Sequence, residues 1–192
     1  MRIFAVVGCA LLLAACGGSS ASSPQGGGAS KPGKPAKLPP ESTTYYLGTS
    51  QASGADGTPF GPPQPALVER IVKPAHKTII ETVLVDSRML TTTLTQSQRP
   101  HVFEAIDEIA SFTGTLTYEG PMWAFTRWHY DIILADGKGR IEGFAEIKLD
   151  RLHIEKFFVG PGGERQVRIV EDLKKITRSA FEAKRTELTG GQ

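Results

Sequence analysis

The sequence predicts a mainly β protein, an antiparallel meander of about eight strands that closes into a small barrel and carries a short C-terminal helix. Three observations predict it. Apolar and polar residues alternate with period two through most of 67–159. The runs are separated by short turn-type breaks such as Asp136-Gly137 and Asp150-Arg151. Eight consecutive runs with short connections are enough to remove both sheet edges by closing, whereas an open sheet folded over the helix is the alternative.

In order, the folded body is expected over 45–192, opening with Tyr45, Tyr46 and Leu47. A Gly/Pro-rich arm follows at 48–65, with turn chemistry and little periodicity. Strands are expected at 67–73, 78–86, 89–96, 102–107, 112–119, 122–134, 140–149 and 152–159. Residues 100–110 also read as a helix, with Pro100 at its first position and Val102, Phe103, Ile106 and Ile109 on one side. A strand is preferred because 112–116 is an obvious partner. After the Gly160–Gly163 loop, Ile169, Val170, Leu173, Ile176 and Ala180 fit one amphipathic helix. The capping box at Ser179 and Glu182 argues instead for an extended segment near 166–170 and a helix from about 180 to 188, ended near Gly190.

Period two places Trp128, Tyr130, Ile132 and Leu134 on one face of their strand and Arg127, His129 and Asp131 on the other. Large residues meet small ones if Ile132 faces Ile141, Tyr130 faces Gly143 and Trp128 faces Ala145. Carried through a turn at Asp150-Arg151, this pairing sets Gly143 against Phe158 and Ala145 against Lys156, which puts a lysine on the apolar face beside Trp128. Either Lys156 snorkels out at the barrel mouth, or Trp128, Tyr130, Lys156 and Phe158 line a ligand cavity in which the amine meets a carboxylate or phosphate. On the outer face, Phe125, Phe144 and Phe157 form an aromatic stripe, with Phe144 and Phe157 as cross-strand neighbours. The stripe is either covered by the C-terminal helix or left as a partner surface.

Ahead of the body, Arg2 precedes the apolar run Ile3 to Ala15, whose 13 residues are too few to span a bilayer that needs about 20 in a helix. Leu13, Ala14, Ala15 and Cys16 resemble the lipobox of bacterial lipoproteins. That resemblance implies a signal peptide at 1–15, cleavage before Cys16 and acylation of Cys16, with palmitate-type chains as the lipid anchor. Residues 16–44, rich in Gly, Ser, Pro and Lys, then form a disordered tether, a coil spanning on the order of 30 Å. Gly17 stands where enteric lipoproteins retained at the inner membrane carry aspartate, so the resemblance favours an outer membrane in the cell envelope.

Composition excludes several classes. The only cysteines are Cys9 and Cys16, so the body has no thiol for a disulfide, a nucleophile or a metal site. Removing Arg2, Lys31, Lys34, Lys37 and Glu41 from the formal +2 leaves a body of −1, which is not the footprint of a nucleic-acid binder. No Gly-x-Ser-x-Gly elbow or phosphate-binding loop is present, and no cofactor is implied. His129, Asp131 and Glu142 allow a two-ligand metal site or an oriented histidine, but exposed strand polarity explains them better. The architecture of 66–188 resembles the lipocalin-like (calycin) barrels. That resemblance implies a non-catalytic, membrane-tethered binding module for a small amphipathic or lipid-like ligand. The alternative is an envelope structural or accessory protein that holds a protein partner on its outer aromatic face.

Overall fold

The computed structural model describes residues 37–107, 112–134 and 139–190. The expected leader, Cys16, the expected tether up to residue 36 and the expected Asp136-Gly137 turn lie outside the described residues. Ten antiparallel strands form a closed barrel: β1 (Ser42–Gly54), β2 (Gln64–Lys73), β3 (Thr78–Val85), β4 (Arg88–Gln96), β5 (Val102–Asp107), β6 (Phe112–Glu119), β7 (Arg127–Leu134), β8 (Arg140–Lys148), β9 (Arg151–Val159) and β10 (Arg165–Ile176). One helix, α1 (Arg178–Thr189), follows. Each strand pairs with its neighbours in sequence, and β1 pairs with β10 to shut the ring.

Ten strands replace the expected eight because the two chain ends of the body are strands. β1 begins at Ser42, inside the stretch expected to be tether, and continues through 48–54, the first seven residues of the arm expected to be turns. Past Leu47 its residues are small or polar, and ladders on both sides hold them extended. Gly48 shows how close that packing is: a Cβ there would sit 1.9 Å from the Asp172 carbonyl oxygen of β10. The expected extended piece at 166–170 is part of β10, which runs on to Ile176 because the Gly54–Tyr45 edge of β1 accepts it along its length. Residues 102–107 form a strand, as the partner argument requires.

The β7–β8 register is as expected, with Ile132 opposite Ile141, Tyr130 opposite Gly143 and Trp128 opposite Ala145. The β8–β9 register is two residues away from the expected one. The turn is Leu149-Asp150, so Lys148 pairs with Arg151, Ala145 with Ile154, Gly143 with Lys156 and Ile141 with Phe158. Two-residue hairpin loops require a positive φ at their first position, which glycine, asparagine or aspartate usually supplies. Here Leu149 takes it, at φ 57°, and leucine gives no sequence signal for such a turn.

Phe125 corrects a second expectation. The strand expected from 122 starts only at Arg127, because a turn with Gly120 at φ 105° and Trp123 at φ 67° interrupts the alternation. Phe125 therefore points inward and is buried. With Trp123 it plugs one end of the barrel against Phe103 and Tyr118, with ring centroids 4.7–5.8 Å apart between Phe125, Phe103 and Tyr118. Around this plug lie the best-buried apolar residues, Ile79, Leu94, Leu116, Trp128 and Leu152.

The helix does not cover Phe144 and Phe157. It packs on the outer face of β1, with the buried Phe181 ring 5.0 Å from Tyr45. Its cap is Thr177, two residues before the expected Ser179. The Thr177 hydroxyl accepts from the Ala180 N–H at 3.3 Å, and Gly190 ends the helix in a left-handed conformation at φ 67°.

Two substitutions test this arrangement. Phe125→Ala is expected to lower the unfolding free energy by about 3–5 kcal/mol, as for a large core aromatic, where an outer-face phenylalanine would lose far less. Gly48→Ala is expected to lower it by about 1–3 kcal/mol by forcing β1 and β10 apart. Urea denaturation of residues 37–192, which hold every strand and the helix, measures both.

Candidate functional site

Closure divides every strand into an inward and an outward set. The inward set includes Arg70 (β2), Glu81 (β3), Tyr118 (β6), Trp128 and Tyr130 (β7), Lys156 and Phe158 (β9), and Glu171 (β10), as their register partners show. An arginine, a lysine and two glutamates thus sit inside the barrel.

Arg70 and Glu81 are direct cross-strand partners and form an ion pair, with side chains 5% and 15% exposed. The Arg70 guanidinium carbon lies 4.1 Å from the Trp128 ring centroid and 5.1 Å from that of Tyr118. Burial opposes the charged form of Arg70, and Tyr118 and Glu81 more than offset it, so the guanidinium is held protonated. Burial also pushes the Tyr118 phenol well above its ordinary value, although Arg70 pulls it back in part. Tyr130 and Tyr46 are raised for the same first reason. The Tyr118 hydroxyl and the Trp128 indole N–H are buried without a hydrogen bond of normal geometry among the described residues.

One layer nearer the other end, Lys156 meets Glu171 at 3.5 Å, with side chains 24% and 15% exposed, and its Nζ lies 5.8 Å from the Tyr130 ring centroid. This pair is longer and wetter than Arg70–Glu81. Lys156 therefore lies beside Tyr130 and opposite Gly143, not beside Trp128 as expected. A Cβ at Gly143 would come 2.0 Å from the Glu155 carbonyl oxygen, so β8 and β9 approach closely at this level.

Exposure of inward residues shows which end is open. At the plugged end Phe103, Trp128 and Leu152 are at most 1% exposed. Toward the opposite end the inward residues Val83, Ile132, Ile141, Phe158 and Ile169 are all partly exposed, and Val85 and Leu90 are exposed. In a closed ring, solvent reaches such side chains only from within. An open depression of about 790 Å³ lies against Val85, Asp86, Arg88 and Leu90 at that mouth. The barrel is thus an aromatic plug, a floor of two ion pairs and an apolar, water-accessible upper wall.

Of the residues expected to line a cavity, Tyr130, Lys156 and Phe158 face this space, and Trp128 lies beneath it under Arg70. Arg70, Glu81, Glu171 and Tyr118 were missed. Residues 67–73 alternate Leu, Val, Glu, Arg, Ile and Val so that both faces contain apolar groups, which hides Arg70. The flanking of Glu171 by Ile169 and Leu173 was the one usable signal. The outer candidates do not assemble. Phe144 pairs with Glu155 and Phe157 with Glu142, so these rings are not direct cross-strand neighbours. Each is half-buried beneath a guanidinium: Arg127 lies 5.1 Å above Phe144 and Arg165 lies 4.0 Å above Phe157.

His129 bonds to Glu119 at 2.8 Å, and Glu142 pairs with Arg140 and Arg165, so the structure does not join His129, Asp131 and Glu142 into one group. Among the described residues no cluster suits a metal ion.

No family model matches the chain, and no curated protein does. Among solved structures it is similar to a protein of unknown function of the DUF3598 family from Nostoc punctiforme PCC 73102, with a TM-score of 0.51 and 9% identity. That likeness covers 69% of this chain and 47% of the other, so the chain spans about half of its neighbour's length, and it shows the fold alone. A hot dog fold protein of unknown function from Alicyclobacillus acidocaldarius aligns at a TM-score of only 0.21 and 10% identity, which carries no argument.

Two outcomes follow from the floor. Glu81→Gln is expected to destabilise by about 3–5 kcal/mol, because it strands a buried guanidinium, while Glu171→Gln at the wetter pair has the smaller effect; thermal melts compare them. Three of the four tyrosines, Tyr46, Tyr118 and Tyr130, have raised phenols. A folded-state pKa above the unfolded value gives stability that is complete below the unfolded value of about 10 and is lost as pH rises through the folded values. Absorbance at 295 nm should therefore show the buried phenols ionising only together with alkaline unfolding.

Proposed function

We propose that this chain is a membrane-tethered lipoprotein of the cell envelope, anchored through Cys16, whose barrel is a non-catalytic binding module for a small amphipathic molecule. The observation that carries the reading is the partial exposure of inward residues at one end of a closed ring, above a paired lysine and glutamate. Ligand sites of this kind are concave, mostly apolar and fitted with a few polar groups. The lipocalin-like analogy supports the same reading, with ten strands in place of eight.

The chemistry of the floor refines the ligand. Arg70 and Glu81 are tightly paired and buried, and exchanging either partner would leave an uncompensated charge, so this pair is scaffold. Lys156 and Glu171 are loosely paired and hydrated, so they exchange partners at lower cost. A bare carboxylate taken up by Lys156 would leave Glu171 without a counter-charge. A head group with both an acceptor for Lys156 and a donor for Glu171, zwitterionic or hydroxyl-bearing, satisfies both, while its apolar part lies along Ile132, Ile141, Phe158 and Ile169. Phe60, Val85 and Leu90, all exposed, give the ligand an apolar rim at the mouth. The alternative, a partner-binding accessory protein, keeps only Phe144 and Phe157 of its three aromatics.

Native mass spectrometry of residues 37–192 after incubation with a lipid extract of the source cells tests the reading. A retained small-molecule mass that is lost in Lys156→Ala and in Glu171→Ala is expected. An unadorned parent protein, or a mass retained equally in both variants, would refute it.

A further inference from the structure

The plugged end carries a feature that neither the core nor the cavity explains. Leu149 is 100% exposed and stands at φ 57°, at the tip of the β8–β9 hairpin. Both properties are unfavourable for leucine. The left-handed backbone suits glycine, and an exposed apolar tip gains nothing from burial in the fold. Around the tip the surface is basic. Lys148, ion-paired with Glu146 at 2.8 Å, and Arg151 flank the loop as a cross-strand pair, Lys174 lies opposite Arg151 on β10, and Lys175 and Arg178 follow where β10 passes into α1. Arg151, Lys175 and Arg178 are exposed and have no carboxylate partner among the described residues. Lys174 is 3.9 Å from Asp150, with both side chains largely exposed. The chain enters the barrel at this same end, where Ser42 pairs with Val72 and Tyr45 with Ile176, and the exposed Lys37 lies just upstream.

We infer that this end of the barrel docks on an anionic lipid surface, with Leu149 inserted at the interface and Lys148, Arg151, Lys174, Lys175 and Arg178 against the head groups. Charge complementarity selects the occupant, and the arrival of the N-terminal segment at the same end places the surface where a tethered body would meet it. Basic groups near such a surface and a small apolar insertion act together, each being weak alone. Docking by this end turns the open mouth away from the membrane. The inference stands apart from the identity of the interior ligand, and its placement by the tether rests on the proposed anchoring through Cys16.

The test is co-sedimentation of residues 37–192 with vesicles of phosphatidylcholine alone and of phosphatidylcholine with roughly 30% phosphatidylglycerol. Binding to the anionic vesicles only, released at about 0.5 M salt, is expected. Leu149→Gly, which relieves the backbone and so leaves the melting temperature unchanged or higher, should weaken partitioning about fivefold to tenfold. The Lys174→Gln/Lys175→Gln double variant should weaken it by at least about tenfold. Equal binding to both vesicle types, no binding to either, or unaltered binding by both variants would overturn the inference. So would a parent that ignores vesicles but loses a crosslink to an envelope protein on Leu149→Gly, which would make the tip a protein contact.

Discussion

The seam between β1 and β10 is the constraint on which everything else in this protein depends. Its ladder runs from Tyr45 opposite Ile176 to Gly54 opposite Val167, and it leaves the sheet with no edge. Without the seam, Arg70, Glu81, Lys156 and Glu171 would lie on the face of an open sheet and be ordinary hydrated charges. With it, they become interior charges that must find one another, and they do so in two pairs at two depths. Closure also gives meaning to the exposure of Ile141 or Phe158, because inward surface reached by water is interior space.

The depth of each pair sets how freely it can rearrange. Arg70–Glu81 sits over two aromatic rings and next to the plug, so its electrostatic strength is high and its freedom is low. Lys156–Glu171 sits one layer up, where water moderates both the attraction and the penalty for rearrangement. A barrel packed alike from end to end would be more stable and would have nowhere to hold a ligand.

Much of this was legible in the sequence. Period two fixed the faces of β7 and β8, and the large-to-small matching of Trp128 with Ala145 and Tyr130 with Gly143 fixed their register. What failed did so locally and for physical reasons. Leu149 occupies a position that turn chemistry reserves for glycine, asparagine or aspartate, so the hairpin was centred one residue late and every β9 partner moved by two. Trp123 at positive φ broke the alternation that would have placed Phe125 outside. Beyond Leu47, β1 reads Gly, Thr, Ser, Gln, Ala, Ser and Gly, bounded by glycines and without apolar alternation, and a partner on each side holds it extended. The floor was half legible: Lys156 stood out on an apolar face, but its glutamate comes from β10, and no local pattern joins the two.

The seam also orders events in time. It joins the first and last strands, so every other strand must already exist before the ring can shut, and the loop that this step closes is almost the whole body of the protein. Before that step β1 is laddered to β2 on one side only, and its other side stays an open edge until β10 has formed. Until then the Gly48–Gly54 half of β1, with no side chain larger than Gln51, presents little apolar surface at that open edge.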